Sequence, residues 1–476
     1  MKPGSRQQFD LIVIGAGPAG EKAAVKAAYF GHKVAIIEKE AHLGGAGIQT
    51  GTLPSKTLKE TALYFSGKYT RGLYGEAPHQ QLDKCVQKFL HRQRYVSKTV
   101  EDQLYQNLKI HGVTLFKGRA SFLNPHEVQV EGHESTILSA RFILIATGSY
   151  PFHPSHIPFD QDRILDSDSI LRLHRLPHSL CIVGAGVIGC EYATIFAHMG
   201  LPVTLINSQK QLLPFLDLHI AHTLVHQMRK DGIQVVLGFD VEKVWIEGEE
   251  DDPHGVKVKM SQGDVLEFDM FLYAAGRSGN TKHLKLEHAG VNIGQREQIP
   301  VNANYQSNVS HIYAVGDVIG FPSLASTSMD QGRVAVGHMF GITDLDSFSK
   351  VLPYGIYTIP EVSMVGLTEE QCKEQGIPYY VGIAHHENLP RGKILGVHDG
   401  LMKMIFEKES HTVIGVHIVG PLATEMIHYG LSLIENKRTI YQVIATVFNY
   451  PTLHDLYKYA SYDALGSLKG FKIKEA

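Results

Sequence analysis

A chain of 476 residues is too long for one compact core and, at about 150 residues per domain, should divide into roughly three. Its 43% hydrophobic and 20% charged residues exclude a disordered or fibrous protein. A formal net charge of −3, with no run of Lys and Arg, offers no global field for nucleic acid or an anionic membrane, so neither is expected as a partner.

The N-terminal stretch Met1–Gln8 is polar and short. The apolar run Leu11–Ile14 ends directly in glycines, too soon for a signal-peptide core or a membrane span. Cys85, Cys181, Cys190 and Cys372 are dispersed, without CxxC or metal-type spacing, which fits a reducing compartment. The cytoplasm is the expected location. Among 27 histidines, His385 and His386 form the only adjacent pair and lack further spaced ligands, so no metal is expected.

Along the chain, Phe9–Ile14 reads as a strand, Gly15-Ala-Gly17-Pro-Ala-Gly20 as a Gly-rich turn, and the following Ala-rich stretch as a helix stopped near Gly31. A second strand, Val34–Glu38, closes the unit. The pattern then recurs without a gap: strand Leu180–Val183, turn Gly184-Ala-Gly186-Val-Ile-Gly189, helix to Gly200, strand Val203–Asn207. Each copy has the context of a dinucleotide site. The first glycine permits a tight turn, the second lets backbone approach a pyrophosphate, and the third lets helix pack on strand. The helix N-terminus offers free N–H groups and a positive dipole end to the phosphates.

The copies differ at their last strand residue. Glu38 suits the ribose hydroxyls of FAD or NAD and repels a 2′-phosphate. Asn207 is uncharged, so the second site should accept NADP while still taking NAD. Lys210 lies close by in sequence, either as a phosphate partner or as a solvated surface charge.

Further segments stand out in order: Phe142–Gly148 with Thr147, Ala275-Gly276-Arg277 through Asn280, Tyr313-Ala-Val-Gly316-Asp317, Tyr357–Val362, and Val365-Gly366-Leu-Thr. Together with the two Gly-rich turns they resemble the pyridine nucleotide–disulfide oxidoreductases, the family of dihydrolipoamide dehydrogenase and glutathione reductase. The resemblance implies an α/β fold: two Rossmann-like dinucleotide-binding domains, for FAD and NAD(P), plus a C-terminal α+β dimerisation domain. The FAD-binding domain would be split over 1–150 and 280–345, the NAD(P)-binding domain would span 151–279, and the dimerisation domain 346–476 of a homodimer. The acidic stretch from Glu247 to Asp252 reads as a hairpin loop in the inserted domain. FAD would be held by Gly15, Gly17, Gly20, Glu38, Gly45, Thr147, Gly148 and Asp317. NAD or NADP, as substrate, would be held by Gly184, Gly186, Gly189 and Asn207, with Gly276 and Arg277 at the exit of its domain.

The sequence departs from the family pattern at the redox disulfide. In Gly44-Gly45-Ala46-Gly47-Ile-Gln-Thr50-Gly51-Thr52-Leu-Pro54-Ser55-Lys56, Gly47 and Thr52 stand where the family has its cysteines. Neither can form a thiolate or carry electrons, so dithiol chemistry is excluded there. The family's catalytic His is likewise replaced, by Tyr450 in Phe448-Asn449-Tyr450-Pro451-Thr452. A phenol is a poor base for a thiol at neutral pH. His454, four residues later, reads as a partly exposed helical His, and Asp455 keeps a carboxylate without its imidazole partner.

These joint losses resemble the soluble pyridine nucleotide transhydrogenase branch. The branch implies hydride exchange between NADPH and NAD through the flavin, without an external base. Lys56 would stabilise negative charge near flavin N5, Glu191 would be its ion-pair partner, Thr52 would wall the ring, and Tyr450 would line the site from the partner subunit. A quinone reductase or diaphorase on the same scaffold is the alternative, and a non-catalytic flavin-binding sensor or partner protein is a third reading.

Overall fold

The structure is a computed structural model describing residues 6–69, 85–248, 252, 254–342, 349, 351–468 and 470. It resolves into two compact units: 1–57, 90–154 and 276–348 form the first, and 58–89, 155–275 and 349–476 the second. The expected domain junction near 345 lies outside the described residues.

The first unit is built on a seven-stranded sheet. Strand Arg6–Ile14 runs parallel to Val34–Glu38 on one side and to Ser135–Ile145 on the other, with Leu11 opposite Val34 and Val13 opposite Leu144. Thr114–Lys117 and Ile312–Ala314 extend the parallel part at its two sides. Arg119–Asn124 and Glu127–Glu131 continue it as an antiparallel extension. Leu11, Ile12 and Val13 are all fully buried, which is why this strand is an unbroken apolar run rather than an alternating one. One face of the sheet packs Ile12, Ile14 and Ile37 with Ile143 and Leu286. The other packs Leu11, Val13 and Ile36 against Ala23, Ala24 and Ala27 of helix Pro18–Tyr29. The small alanines let that helix lie close to both the sheet and helix Ala325–Phe340, where Gly332 has no room for a Cβ beside the Ala19 carbonyl.

In the second unit, five parallel strands are ordered Gln234–Leu237, Val203–Asn207, Leu180–Val183, Met270–Tyr273, Ile164–Asp166. This repeats the parallel arrangement of the first unit, and the internal sequence repeat is its cause. Strands Val241–Ile246 and Val256–Met260 pair antiparallel as a hairpin. Of the acidic stretch between them, residues 249–251 lie outside the described residues. The C-terminal part is a five-stranded antiparallel sheet, ordered Tyr354–Ile356, Val362–Gly366, Val413–Val419, Leu401–Glu407, Tyr379–His385. Its core joins Met404, Phe406, Val416 and Ile418 to Ile427 and Tyr457 on helices Ala423–Glu435 and Asp455–Leu468. The expected α/β class with a C-terminal α+β portion is what the chain adopts.

Candidate functional site: two dinucleotide turns

In the first unit, Gly15 has φ +106°, and its N–H donates to the Ile37 carbonyl at 2.8 Å. A side chain there would also collide with the Ala146 carbonyl, so both conformation and space demand glycine. Gly17 caps helix Pro18–Tyr29 with extended backbone and no side-chain cap, leaving the helix N-terminus open. Gly20 lies against the Gly15 carbonyl with no room for a Cβ, closing helix onto turn.

Glu38 ends strand Val34–Glu38, buried, with Oε2 accepting the Ala16 N–H at 2.9 Å and Oε1 the Glu40 N–H at 2.9 Å. Gly45 approaches the same turn, and a Cβ on it would stand 3.2 Å from Gly17 Cα. Gly316 approaches from another side, where a Cβ would stand 3.2 Å from the Ala19 methyl. Asp317 follows in the short turn Gly316–Ile319 and accepts the Ser149 hydroxyl at 2.9 Å. Thr147 and Gly148 leave strand Ser135–Ile145, and the Gly148 carbonyl accepts the Asn280 N–H at 2.9 Å. The Thr147 hydroxyl is buried and has no hydrogen-bond partner among the described residues. Thr147 Cα lies 3.3 Å from where a Cβ on Gly15 would stand, and an orphaned buried hydroxyl on a residue next to this turn is what a bound dinucleotide would satisfy. The residues assigned to FAD are therefore brought together, and their chemistry fits that group.

The second unit repeats this construction. Gly184 has φ +104° and donates to the Ile206 carbonyl at 2.9 Å, Gly186 caps helix Val187–His198, and Gly189 lies on the Gly184 carbonyl. Asn207 ends strand Val203–Asn207 and accepts the Ala185 N–H through Oδ1 at 3.1 Å. Its amide NH₂ donates to the carbonyls of Gln209 at 3.1 Å and Gln211 at 3.3 Å. Asn207 thus keeps the acceptor role that Glu38 has in the first turn, and adds donors that hold the Ser208–Gln211 loop.

The residues expected at the reacting centre are placed as follows. Thr52 is exposed at the first position of helix Thr52–Ser66, and Lys56 is half-buried one turn on, its ammonium donating to Ser55 Oγ at 3.3 Å. Gly47 sits in the π-helical turn Ala46–Thr50. A Cβ on it would lie 2.5 Å from Pro18 Cγ, so the ring of the helix's first residue occupies the space a side chain would need. Glu191 is buried on helix Val187–His198 and accepts the Tyr357 N–H at 3.0 Å, while Thr194, one turn along, accepts that of Ile359 at 3.1 Å. Tyr450 is 75% exposed.

His454 is partly exposed, as expected, but stands one residue before the helix rather than within it. It lies in the turn just before helix Asp455–Leu468, half-buried among the rings of Tyr429, Phe448 and Tyr457, at 6.1–6.3 Å between centroids. Burial lowers its pKa below the ordinary histidine value, against the opposing pull of Asp455.

Gly276 and Arg277 enter the short strand Arg277–Gly279, which pairs antiparallel with Ser149–Pro151. The Gly276 carbonyl accepts the Phe152 N–H at 3.0 Å, and Arg277 binds Ser149 twice, Nε to Oγ at 2.8 Å and Nη2 to the carbonyl at 2.9 Å. Ser149 carries no signal of its own in the sequence. It follows the Thr147-Gly148 turn directly, but nothing local links it to residues 277 and 317. No group of three or more His, Cys, Asp or Glu suited to a metal occurs among the described residues, and none of their helices is long and apolar enough to cross a membrane.

Two family descriptions match the chain: "Pyridine nucleotide-disulphide oxidoreductase" over residues 9–332, and that family's dimerisation domain over 352–461. A protein of Mycobacterium bovis named soluble pyridine nucleotide transhydrogenase is 40% identical over 467 residues, covering 97% of this chain and 98% of that one. Its namesake in Salmonella paratyphi C is 38% identical over 465 residues, with the same coverage. Among solved structures, LpdA from Mycobacterium tuberculosis matches with a TM-score of 0.87 at 26% identity, covering 95% of this chain and 99% of that one. The HOCl-induced flavoprotein disulfide reductase RclA from Escherichia coli matches with a TM-score of 0.84 at 27% identity and the same coverage. With two intact dinucleotide turns and both family descriptions matched in order, this chain belongs to the pyridine nucleotide–disulphide oxidoreductase family.

Proposed function

We propose that this chain is an FAD-dependent soluble pyridine nucleotide transhydrogenase that moves a hydride between NADPH and NAD. The observation that carries the reading is the pairing of two complete dinucleotide turns with a segment, Gly47 to Thr52, that has no thiol and, at Gly47, no space for one. A disulfide substrate has nothing to react with there, whereas nicotinamide chemistry needs only placement and electrostatics. FAD, when bound, supplies the two-electron carrier between successive nicotinamides.

The chain's own residues then have distinct tasks. Glu38 and the Gly15–Gly20 turn receive the FAD nucleotide, Thr147 offers its unpaired hydroxyl, and Asp317 offers a carboxylate oxygen to the ribityl chain. The Gly184–Gly189 turn receives NAD(P), and neutral Asn207 spares a 2′-phosphate the repulsion that Glu38 would exert. Lys56 supplies a fixed cation and Glu191 its opposite charge. Thr52 and Tyr450 line the site without proton chemistry.

The domain division is 1–150 with 280–345 for FAD, 151–279 for NAD(P) and 346–476 for dimerisation. A homodimer accounts for apolar side chains left bare in the C-terminal part, including Val447 at 90% and Tyr450 at 75% exposure. Four free thiols, three of them buried, suit the cytoplasm.

The test is stopped-flow kinetics on the purified enzyme. Reduction by NADPH should be followed by rapid reoxidation with an oxidised NAD analogue. Reoxidation by a quinone much faster than by the analogue, at saturating acceptor, would make the enzyme a quinone reductase instead.

A further inference from the structure

The Arg277–Ser149 pair described above continues to Asp317, and the three residues form one directed chain. The guanidinium can only donate and the carboxylate can only accept, so the single Ser149 proton must point at Asp317. Arg277 Nε donates to Ser149 Oγ at 2.8 Å, and Ser149 Oγ donates to Asp317 Oδ2 at 2.9 Å. The second Arg277 bond, Nη2 to the Ser149 carbonyl at 2.9 Å, and the pairing of Ser149 with Gly279 hold the serine backbone in place. Asp317 is therefore gripped by one oxygen, and Oδ1 has no hydrogen-bond partner among the described residues. The turn that carries it is pressed against the first turn of helix Pro18–Tyr29 through Gly316 and Ala19. Thr147, with its orphaned hydroxyl, lies two residues before Ser149.

We propose that Ser149 and Arg277 are positioning residues that aim the free oxygen of Asp317 at the FAD, and so set how tightly the flavin is retained. The proposal rests on the flavoprotein reading above. It also gives Arg277 a task in the FAD unit, as a holder of the carboxylate rather than a ligand of the nicotinamide nucleotide. A relay of this kind gains strength from polarisation along its length, because each bond makes the next donor or acceptor stronger. It also removes the rotational freedom that an isolated aspartate would lose on binding.

The test is titration of apoprotein with FAD, followed by protein and flavin fluorescence, for wild type, Ser149→Ala, Ser149→Thr and Arg277→Lys. Ser149→Ala should weaken FAD binding about tenfold, the loss of one charge-assisted bond. Ser149→Thr keeps the hydroxyl and should bind within about threefold of wild type, and Arg277→Lys, which loses the fork, should fall between them. A role confined to tying two strands together is separated by a double-mutant cycle. In an Asp317→Ala background, Ser149→Ala should cost no further affinity, whereas a plain structural tie would cost the same in both backgrounds. Equal FAD affinity for wild type and Ser149→Ala, or an undiminished effect without Asp317, overturns the relay while leaving the flavoprotein intact. A wild-type apoprotein that binds no FAD overturns the flavoprotein reading and the relay with it.

Discussion

Asn207 accepts the Ala185 N–H at 3.1 Å, the position in the second turn at which Glu38 accepts the Ala16 N–H at 2.9 Å in the first. One backbone requirement is met by two side chains of different charge. The amide can do more than a carboxylate, since it also donates to the Gln209 and Gln211 carbonyls. Asn207→Asp keeps the shape and the acceptor, but turns a negative oxygen toward two carbonyls and toward any 2′-phosphate. We expect NADPH affinity to fall by about 1–3 kcal/mol more than NADH affinity. Calorimetric titration of the two reduced nucleotides measures the difference, and equal losses would place Asn207 away from the ribose.

The missing thiols have a spectral consequence. Reduction should proceed to two-electron-reduced flavin without a long-wavelength thiolate-to-flavin charge-transfer band, and dihydrolipoamide and glutathione disulfide should be inert. Restoring the first cysteine should be resisted. Gly47→Cys drives Cβ to 2.5 Å from the Pro18 ring, which is rigid and anchors a helix, so the variant should lose about 1–3 kcal/mol of stability. Thr52→Cys, at an exposed helix start, should fold as wild type does. Urea unfolding of the two single variants gives the comparison.

Lys56 is the cation expected to offset negative charge as hydride arrives. Lys56→Met keeps most of the volume and removes the charge. Loss of about 2–3 kcal/mol in the transition state slows reduction by NADPH roughly thirty- to a hundred-and-fiftyfold. In a transhydrogenase the return transfer to an oxidised nicotinamide should slow as well. Stopped-flow absorbance resolves both half-reactions, and an unchanged reductive rate would remove Lys56 from the site.

Acid sensitivity should come partly from Asp269. Its carboxylate is fully buried and receives Arg175 through two bonds, at 2.5 and 2.7 Å, together with the His178 N–H at 2.7 Å. Burial by itself raises a carboxyl pKa, but the Arg175 and His178 bonds outweigh it and hold Asp269 below the ordinary value. Because the folded-state pKa is depressed, the stabilisation is fully present above the unfolded value, near about pH 4, and is lost as pH falls through the folded value. Arg175→Ala should destabilise the protein by about 2–3 kcal/mol at neutral pH, with Arg163 at 3.6 Å compensating in part. It should also flatten the acid limb of a stability–pH profile, measured by urea midpoints between pH 3 and pH 7. A parallel limb in the variant would show that Asp269 does not govern it.

What the sequence determined by itself was whatever depends on backbone over a few residues. The two turns were legible because φ near +105° at Gly15 and Gly184, and the missing Cβ space at Gly20 and Gly189, admit glycine alone. The strand ends Glu38 and Asn207 were legible because the repeat sets them at the same distance from those turns. The absence of dithiol chemistry at residues 47 and 52 needed only the side-chain types. The tertiary structure decided which distant side chains meet. Pro18 fills the space beside Gly47, the Asn207 amide closes on its own loop, and His454 has three aromatic rings around it. Ser149 reaches Asp317 across 168 positions of chain. No local rule encodes that last contact, because a hydroxyl can bond whatever acceptor the fold brings within reach. Which acceptor arrives is set by the fold, which pairs strand Ser149–Pro151 with Arg277–Gly279 and brings the turn Gly316–Ile319 within reach of the Ser149 hydroxyl.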